Sequence, residues 1–344
     1  MQPARLLADV DGDGDRLGIG VVGKDGRVTE AIACILADWG TTNLRVWAVR
    51  PDRTIHGPRT SPMGLLAVQN RRFAEALTEA CGDWLAASNS APVVMCGMVG
   101  SKLGWKEAPY LPTPVALGDL GRHLCSIEAP FPGAVTVIPG VMMDDQMQPE
   151  VMRGEESQIL GAIQALGIRD GAFLLPGTHS KWALIDDGTL VSFRTYMTGE
   201  VFGLIRRSGT LSQLMEGDAH DDVAFERGVR FARSTDAANL LHALFSVRTL
   251  GLLGRISREG LASYLSGLLI GAELCDGFAW LQAQGITGLA AAIGTPAMLD
   301  AYQRAASYYG LRIVALDSAD ILPRALLSIA ATAGLATGCG EVKE

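Results

Sequence analysis

The chain has 344 residues, of which 48% are hydrophobic and 6% aromatic, and its net charge at pH 7 is -8. This length and apolar content allow a large core in two domains or lobes, and they exclude a disordered or fibrous chain. The acidic balance, without any basic run, argues against nucleic acid as the main partner, because such a surface needs clustered Lys and Arg. A small anionic ligand held by a few local cations remains open.

Residues 1–30 are rich in Asp and Gly and do not follow the regular pattern of the rest. Residues 9–20 begin like a calcium-binding loop, but Gly20 stands where an EF-hand needs a bidentate Glu. Residues 11–18 also resemble the metal loop of phosphohexomutases, an enzyme class that nothing else in the chain supports. We predict that residues 1–30 are an N-terminal extension of unknown role or an alternative start, with an ion site as the alternative.

Two apolar strands are predicted at residues 31–36 and 44–50, joined by a tight polar turn. Gly40 lets the backbone of this turn approach a ligand, and the residues after it suit phosphate oxygens: Thr41, Thr42 and Asn43. Asp38 ends the first strand, where its carboxylate could hold Mg²⁺ beside phosphates. An ordinary hairpin turn has the same chemistry, so this stretch alone leaves both interpretations open.

A connection containing Pro and Gly is predicted at residues 51–64, a helix at 70–87 and a buried strand at 92–98. The strand runs into a loop, residues 99–110, that combines glycines with an indole, a phenol, two lysines and a carboxylate. A loop of this content at the carboxyl end of a strand suits a pocket for a small polar anion. Alternatively, its Trp and Tyr only anchor the loop to the core.

A further strand at residues 134–139 precedes a predicted helix that begins near Glu155 and Glu156. Carboxylates in the first turn complement the positive end of a helix, which would account for both of them without any catalysis. If the helix start faces a pocket, Glu155 or Glu156 could instead accept the proton of a substrate hydroxyl. Arg153 could bind an anion there.

Residues 173–186 repeat the arrangement of the first hairpin: a strand, a polar glycine turn and a second strand. The turn matches residues 40–43 in position and chemistry and consists of Gly177, Thr178, His179 and Ser180. A third strand at residues 189–196 completes a small antiparallel unit. Two such loops, one in each half, predict a duplicated fold whose halves face each other across a cleft and bind polyphosphate from both sides.

Residues 203–281 are predicted to be mostly helical, with Gly267 and Gly271 allowing close packing on a neighbouring helix. A strand at residues 288–293 leads through Gly294 and Thr295 into a helix. This junction either brings the backbone close to a flat ligand such as adenine or is a plain turn between strand and helix. A strand at 311–316 and an apolar helix at 322–335 close the chain.

The six cysteines lie scattered in apolar segments, without Cys-x-x-Cys pairs or His at metal-ligand spacing, as expected of buried thiols in a reducing compartment. The chain opens without a charged-then-apolar secretory leader, and the most apolar helix, residues 264–274, is too short and too interrupted by glycine to span a bilayer. These features predict a cytoplasmic protein without a membrane partner. A homodimer remains open.

Five segments in this order resemble the 2-dehydro-3-deoxygalactonokinases, a family of sugar-acid kinases in the actin, hexokinase and Hsp70-type ATPase superfamily. The matching segments are residues 38–45, 97–110, 152–158, 175–181 and 293–296, so the resemblance spans residues 31 to about 335. It implies an α/β fold of two ribonuclease-H-like lobes with an interlobe cleft. The lobes would comprise residues 31–165 and 166–344, and the final helix could pack back on the first lobe.

The resemblance implies transfer of the γ-phosphoryl group of ATP, with Mg²⁺, to the 6-hydroxyl of 2-dehydro-3-deoxy-D-galactonate. Asp38 would place the metal and Glu155 would be the catalytic base, with Glu156 as its substitute, because the match to the Asp of related kinases is uncertain by one residue. The residues implied in nucleotide binding are Gly40, Thr41, Thr42, Asn43, Arg45, Gly177, Thr178, His179, Ser180, Gly294 and Thr295. Those implied in substrate binding are Gly97, Met98, Ser101, Lys102, Trp105, Glu107, Tyr110 and Arg153.

Two other functions remain as alternatives. A kinase of the same fold that acts on another sugar or ketodeoxy acid would differ in residues 102–110. A nucleotide-switched, sugar-responsive regulator would need a DNA-binding or peptide-binding module, for which the sequence shows no basic helix-turn-helix or extra domain.

Overall fold

The computed structural model describes residues 6–7, 20–22, 28–88, 90–217, 219–234 and 239–336. The described residues within Met1–Ala165 and Ala319–Glu344 form one unit, and those within Leu166–Ser318 form a second. The calcium-loop-like run at residues 9–18 and Cys339 lie outside the described residues. Cys34, Cys81 and Cys96 are buried free thiols, and Cys125 and Cys275 are half-buried free thiols.

The strands are β1 (Leu6–Leu7), β2 (Gly20–Val22), β3 (Val28–Glu30), β4 (Cys34–Trp39), β5 (Leu44–Val49), β6 (Ile55–Ser61), β7 (Val93–Gly97), β8 (Tyr110–Pro112), β9 (Val115–Ala116), β10 (Cys125–Ile127), β11 (Val135–Val137), β12 (Gly140–Met143), β13 (Glu150–Met152), β14 (Gly171–Leu175), β15 (Ser180–Asp186), β16 (Thr189–Tyr196), β17 (Ala291–Gly294) and β18 (Ala315–Asp317). The α-helices are α1 (Phe73–Ala87), α2 (Glu155–Leu166), α3 (Thr198–Arg207), α4 (Gly209–Ser212), α5 (Asp222–Ala232), α6 (Leu240–Leu252), α7 (Leu261–Ala283), α8 (Pro296–Ser307) and α9 (Ser318–Thr332). Short 3₁₀ helices occur at Gln69–Arg71, Met98–Gly100 and Leu117–His123.

Local sequence accounts for several helix starts. The Asp221 carboxylate accepts the N–H of Ala224 and so caps α5. Pro296 opens α8, where its missing N–H costs no helical hydrogen bond. Glu155 and Glu156 stand in the first turn of α2, as predicted.

The two main sheets share one strand order. In the first unit the order is β6-β5-β4-β7-β11, extended by β10, and in the second unit it is β16-β15-β14-β17-β18. In each sheet the first three strands are antiparallel neighbours, and the last two add on in parallel. The predicted duplicated α/β fold is therefore confirmed, and the two glycine turns occupy equivalent places, between β4 and β5 and between β14 and β15.

Strand β6 shows that the prediction of a plain connection at residues 51–64 is wrong. This strand pairs with β5 at the edge of the first sheet. Its Gly57-Pro58 dipeptide indicates a turn when read alone, but an edge strand tolerates Pro because one of its sides makes no ladder hydrogen bonds. The sequence pattern therefore identified Gly57 and Pro58 as turn-forming residues, but it did not show that they lie in an edge strand.

Other differences concern short elements. A small sheet of β8, β12 and β13 lies where loops were predicted, and strands of three or four residues are too short to show alternation. The last strand begins at Ala315 rather than at residue 311, and α9 begins at Ser318 rather than at 322. Near the N-terminus, β1, β2 and β3 form a separate antiparallel sheet.

Helices α5 and α7 pack closely through glycine, as predicted. A Cβ on Gly267 would lie 2.1 Å from the carbonyl oxygen of Phe225, so no larger residue fits between the two backbones. Helix α7 is the longest helix in the part of the chain that the structure describes. No described helix combines the length and apolar character needed to cross a bilayer.

Candidate active site

The first glycine turn, residues 40–43, projects from the end of β4 and β5. The N–H of Gly40 donates to the carbonyl of Asn43 at 2.9 Å, which closes the turn. Thr41, Thr42 and Asn43 are exposed. Asn43 Nδ2 donates to Thr42 Oγ1 at 3.2 Å, so these two exposed groups lie together on the turn, where an anionic ligand could meet them.

A second segment, residues 63–66, braces this turn from one side. Its Leu65 and Leu66 N–H groups donate to the carbonyls of Gly40 and Thr41 at 3.0 and 3.1 Å, and Trp39 Nε1 donates to the carbonyl of Met63 at 2.8 Å. A Cβ on Gly64 would lie 2.1 Å from the carbonyl carbon of Thr42. The sequence pattern gave no sign of this contact, because Gly64 reads as an ordinary loop glycine.

Gly64→Ala is expected to displace the first glycine turn, since the added methyl group overlaps the Thr42 backbone. We expect adenine nucleotides, whose phosphates are predicted to meet this turn, to bind about tenfold more weakly, because small displacements of positioning groups have large effects. Titration with ADP measures the affinity. Gly118→Ala is the matched control, because a Cβ there meets nothing within 4 Å. Equal affinity in both variants would contradict the prediction.

Asp38, at the end of β4, is held by two neighbouring strands. Arg45 lies opposite it on β5 and donates to its Oδ2 from Nε at 3.1 Å and from Nη2 at 2.5 Å. On β7, Cys96 Sγ lies 3.7 Å from its other oxygen, Oδ1. Burial raises the pKa of the Cys96 thiol well above its usual range, and the charges of Asp38 and Glu156 add to this, so the thiol stays protonated and can donate.

Two glycines bring the start of α2 to the end of β7. A Cβ on Gly97 would lie 3.3 Å from Asp38 Oδ1, and a Cβ on Gly154 would lie 3.3 Å from the Cα of Gly97. Both glycines have positive φ, 88° and 106°, which other residues adopt only with strain. The backbone contact places the Glu155–Glu156 pair beside the Asp38 strand end.

The two neighbouring carboxylates differ in exposure. Glu155 is half-buried and accepts the N–H of Arg153 at 2.9 Å. Glu156 is fully buried, and it accepts the N–H of Gly154 at 2.6 Å and the hydroxyl of Ser157 at 2.9 Å. Burial, and after it the charge of Glu155, raises the pKa of Glu156 to about 7. Glu156 therefore lies inside the helix start, while the side chain of Glu155 is partly exposed.

The raised pKa of Glu156 predicts a pH dependence of stability. Below its unfolded-state value of 4.5 the carboxyl is protonated in both states, and its favourable contribution is lost as the pH rises through about 7. Between pH 4.5 and 8 we expect the unfolding free energy of the wild type, minus that of Glu156→Gln, to fall by about 3 kcal/mol. Urea unfolding at several pH values measures it. Glu79→Gln, at an exposed site on α1, is the control, and a flat difference for Glu156→Gln would refute the assignment.

Arg153 lies inside the loop of residues 97–110. Its side chain is buried, Nη2 donates to the carbonyl of Ala108 at 2.8 Å, and the Tyr110 ring centroid lies 4.3 Å from Cζ. Its Nε and Nη1 have no hydrogen-bond partner among the described residues, and neither has the buried hydroxyl of Ser101. Unpaired buried donors cost free energy, so the Arg153 guanidinium has unused capacity to bind an acceptor.

The other residues predicted to bind the substrate differ in their exposure. Lys102, Glu107 and Tyr110 are exposed, and Met98 is half-buried. The Trp105 ring stacks on Phe73 with ring centroids 6.0 Å apart and meets Trp39 edge-on at 6.2 Å. The indole of Trp105 is thus part of the core of the first unit, which was the alternative considered for this loop.

In the second unit, the equivalent glycine turn is braced by α3. The N–H of Glu200 donates to the carbonyl of Thr178 at 2.9 Å, and its carboxylate lies 2.5 Å from His179 Nε2. A Cβ on Gly199 would lie 2.4 Å from the carbonyl oxygen of Gly177, so the helix start rests directly on the turn. The imidazole of His179 is therefore paired with the carboxylate of Glu200.

An apolar cavity of about 260 Å³ lies beside this turn. Gly177 and Thr198 form one side, and Ala297, Met298 and Tyr302 of α8 form another. Helix α8 follows the Gly294-Thr295 junction at the end of β17. A flat apolar group could enter this cavity, and the binding of adenine at the Gly294-Thr295 junction stays a prediction.

The residues near Asp38 show whether the site suits the predicted Mg²⁺. The described residues contain no group of three or more His, Cys, Asp and Glu that could hold a metal ion. A Mg²⁺ ion that is bound mainly by nucleotide phosphates and water needs only one or two protein carboxylates, and Asp38 meets that requirement. The site thus fits a metal that arrives with its nucleotide.

Comparison with known proteins gives one consistent family. The family model described as 2-keto-3-deoxy-galactonokinase matches residues 38–329. A 2-dehydro-3-deoxygalactonokinase of Escherichia coli (strain K12) is 34% identical over 296 residues, which cover 86% of this chain and 97% of that protein. A crystal structure from Sinorhizobium meliloti, assigned to the same enzyme, is 32% identical with a TM-score of 0.78 and covers 86% of this chain and 98% of its own.

Proposed function

Because this chain belongs to the 2-keto-3-deoxy-galactonokinase family, as its five motifs indicated, we propose that it transfers the γ-phosphoryl group of ATP to the 6-hydroxyl of 2-dehydro-3-deoxy-D-galactonate. The products are ADP and 2-dehydro-3-deoxy-6-phospho-D-galactonate, within the breakdown of galactonate. The observation that carries the proposal is the half-buried Glu155 on the helix start next to Asp38 and the first glycine turn.

The chemistry needs a base and a set of positioning groups. The 6-oxygen of the sugar acid attacks the γ-phosphorus, an O–P bond forms, and the bond to the β,γ-bridging oxygen breaks. The hydroxyl proton passes to the Glu155 carboxylate, for which the exposure of Glu155 and the burial of Glu156 are the support. Mg²⁺, when bound with ATP near Asp38, supplies charge neutralisation of the phosphates.

The glycine turn of each unit is proposed as an ATP-binding element. Residues 40–43 in the first unit and residues 177–180 in the second carry backbone and hydroxyl donors that suit phosphate oxygens. The cavity lined by Gly177, Ala297 and Tyr302 would take the adenine. Arg45 would contribute through Asp38, since its guanidinium is paired with that carboxylate.

The sugar acid is distinguished from a neutral sugar by its carboxylate, for which Arg153 is the proposed partner. Its unpaired Nε and Nη1, with the unpaired hydroxyl of Ser101, are the support. Tyr110 is 36% exposed, and its ring lies over the guanidinium of Arg153. A homodimeric state and a cytoplasmic location stay predictions.

An ADP-release assay with a panel of acceptors tests the function. We expect turnover with 2-dehydro-3-deoxy-D-galactonate and little with neutral hexoses. Faster turnover of another ketodeoxy acid would favour the alternative of a kinase with the same fold and a different substrate. Comparable rates on neutral hexoses, with none on ketodeoxy acids, would exclude the proposal.

A further inference from the structure

Helix α7 carries one carboxylate into the core of the second unit. Glu273 is 3% exposed, and most of its neighbours on the helix are apolar and buried, among them Leu269, Ile270 and Leu274. Burial raises the pKa of Glu273, which hydrogen bonds from Thr198, Tyr302 and Trp182 oppose. An apolar residue at this position would avoid the desolvation cost, so the packing of α7 alone does not account for Glu273.

The carboxylate of Glu273 joins four elements. Oε1 accepts from Trp182 Nε1 on β15 at 2.9 Å. Oε2 accepts from the Tyr302 hydroxyl on α8 at 2.6 Å and from the hydroxyl of Thr198 at the start of α3. Ser180 Oγ lies 3.1 Å from the Tyr302 oxygen, to which it can donate because the Tyr302 proton points to Glu273. Both carboxylate oxygens are thus in use.

The hydrogen-bonded residues around Glu273 surround the second glycine turn. Ser180 is the last residue of the turn, and Thr198 precedes the Gly199 that rests on the Gly177 carbonyl. Thr198 and Tyr302 also line the 260 Å³ cavity beside the turn. A shift of Glu273 would therefore be passed to the turn and to two walls of that cavity.

We propose that Glu273 is a positioning residue for the nucleotide, which sets the second glycine turn and the adenine cavity through Thr198 and Tyr302. The inference rests on the proposed function only in taking the ligand to be an adenine nucleotide. It does not depend on which sugar acid accepts the phosphoryl group. Because Glu273 is only 3% exposed, it would act through these neighbours rather than by its own contact with the nucleotide.

Glu273→Gln tests the inference, because the amide keeps the shape and replaces one acceptor oxygen by a donor that faces hydroxyl groups. Calorimetric titration with ADP, without sugar acid, should show about tenfold weaker binding. The KM for the sugar acid should stay within about twofold of the wild type. Tyr302→Phe, which removes one hydroxyl and keeps the ring, should weaken ADP in the same direction. In the double variant the two losses should not add, because both remove one contact.

Leu274→Ala is the structural control. This residue neighbours Glu273 on α7 and is fully buried, so the variant should lower the melting temperature and leave the ADP affinity unchanged. Wild-type ADP affinity in folded Glu273→Gln would overturn the inference, as would an equal loss of affinity in Leu274→Ala. If Glu273→Gln fails to fold, wild-type affinity in Tyr302→Phe would overturn it. A wild type that binds ADP but phosphorylates no sugar acid would refute the proposed function and leave this inference standing.

Discussion

Glu155→Gln is expected to lower kcat by about 10²- to 10⁴-fold and to leave the KM for the sugar acid nearly unchanged. The amide keeps the size of the side chain and can still accept the N–H of Arg153, but it cannot take the proton of the attacking hydroxyl. Steady-state kinetics with varied sugar acid at saturating ATP measure both constants.

The control for this variant is Glu79→Gln, an exposed acid on α1 that should leave kcat unchanged. A proton-transfer role also predicts that the acidic limb of the kcat profile against pH disappears in Glu155→Gln. Full activity in this variant would show that another group is the catalytic base. Burial argues against Glu156 as that group, since its side chain is fully enclosed.

Arg153→Lys is expected to raise the KM for the sugar acid by about 10- to 100-fold, with a smaller change in kcat. Lysine keeps the positive charge but cannot present the planar fork that binds both oxygens of a carboxylate. The carboxamide analogue of the sugar acid separates this effect from general damage. The wild type should prefer the acid, and Arg153→Lys should lose most of that preference.

Arg122→Lys provides the matched control, because Arg122 is an exposed arginine of the same unit, paired with Asp119. Its kinetic constants should equal those of the wild type. If Arg153→Lys reduces turnover of acid and amide by the same factor, then Arg153 supports the loop through Ala108 and Tyr110 and does not recognise the carboxylate.

Much of the fold was predictable because its signals are local. The glycine turns after β4 and β14 are marked by Gly, Thr, Asn and Ser between apolar runs, and such residues adopt turns for reasons contained in a few neighbours. The acidic start of α2 is also a local signal. The order of the five motifs then indicated the family, which the family match confirms.

What could not be predicted depends on contacts between distant residues. Strand β6 forms because β5 supplies its ladder of backbone hydrogen bonds. The Gly-Pro dipeptide of β6, considered alone, indicates a turn and not a strand. An indole that anchors a loop and an indole that binds a ligand look the same in sequence, so the core packing of Trp105 needed its partners Trp39 and Phe73. Glu273 did leave a signal, as one of two acids in the largely apolar α7, but the sequence did not show which residues donate to it.

Helix α9 completes the first unit, although it follows the whole second unit in the chain. Gly161 and Gly121 contact it closely, since Cβ atoms there would lie 2.8 Å from the carbonyl oxygen of Ile321 and 2.3 Å from that of Ile329. During synthesis the ribosome makes the second unit as one uninterrupted stretch, so that unit can fold while the first still lacks its final helix. A nascent chain stalled before residue 318 would therefore expose the α9-binding surface to chaperones.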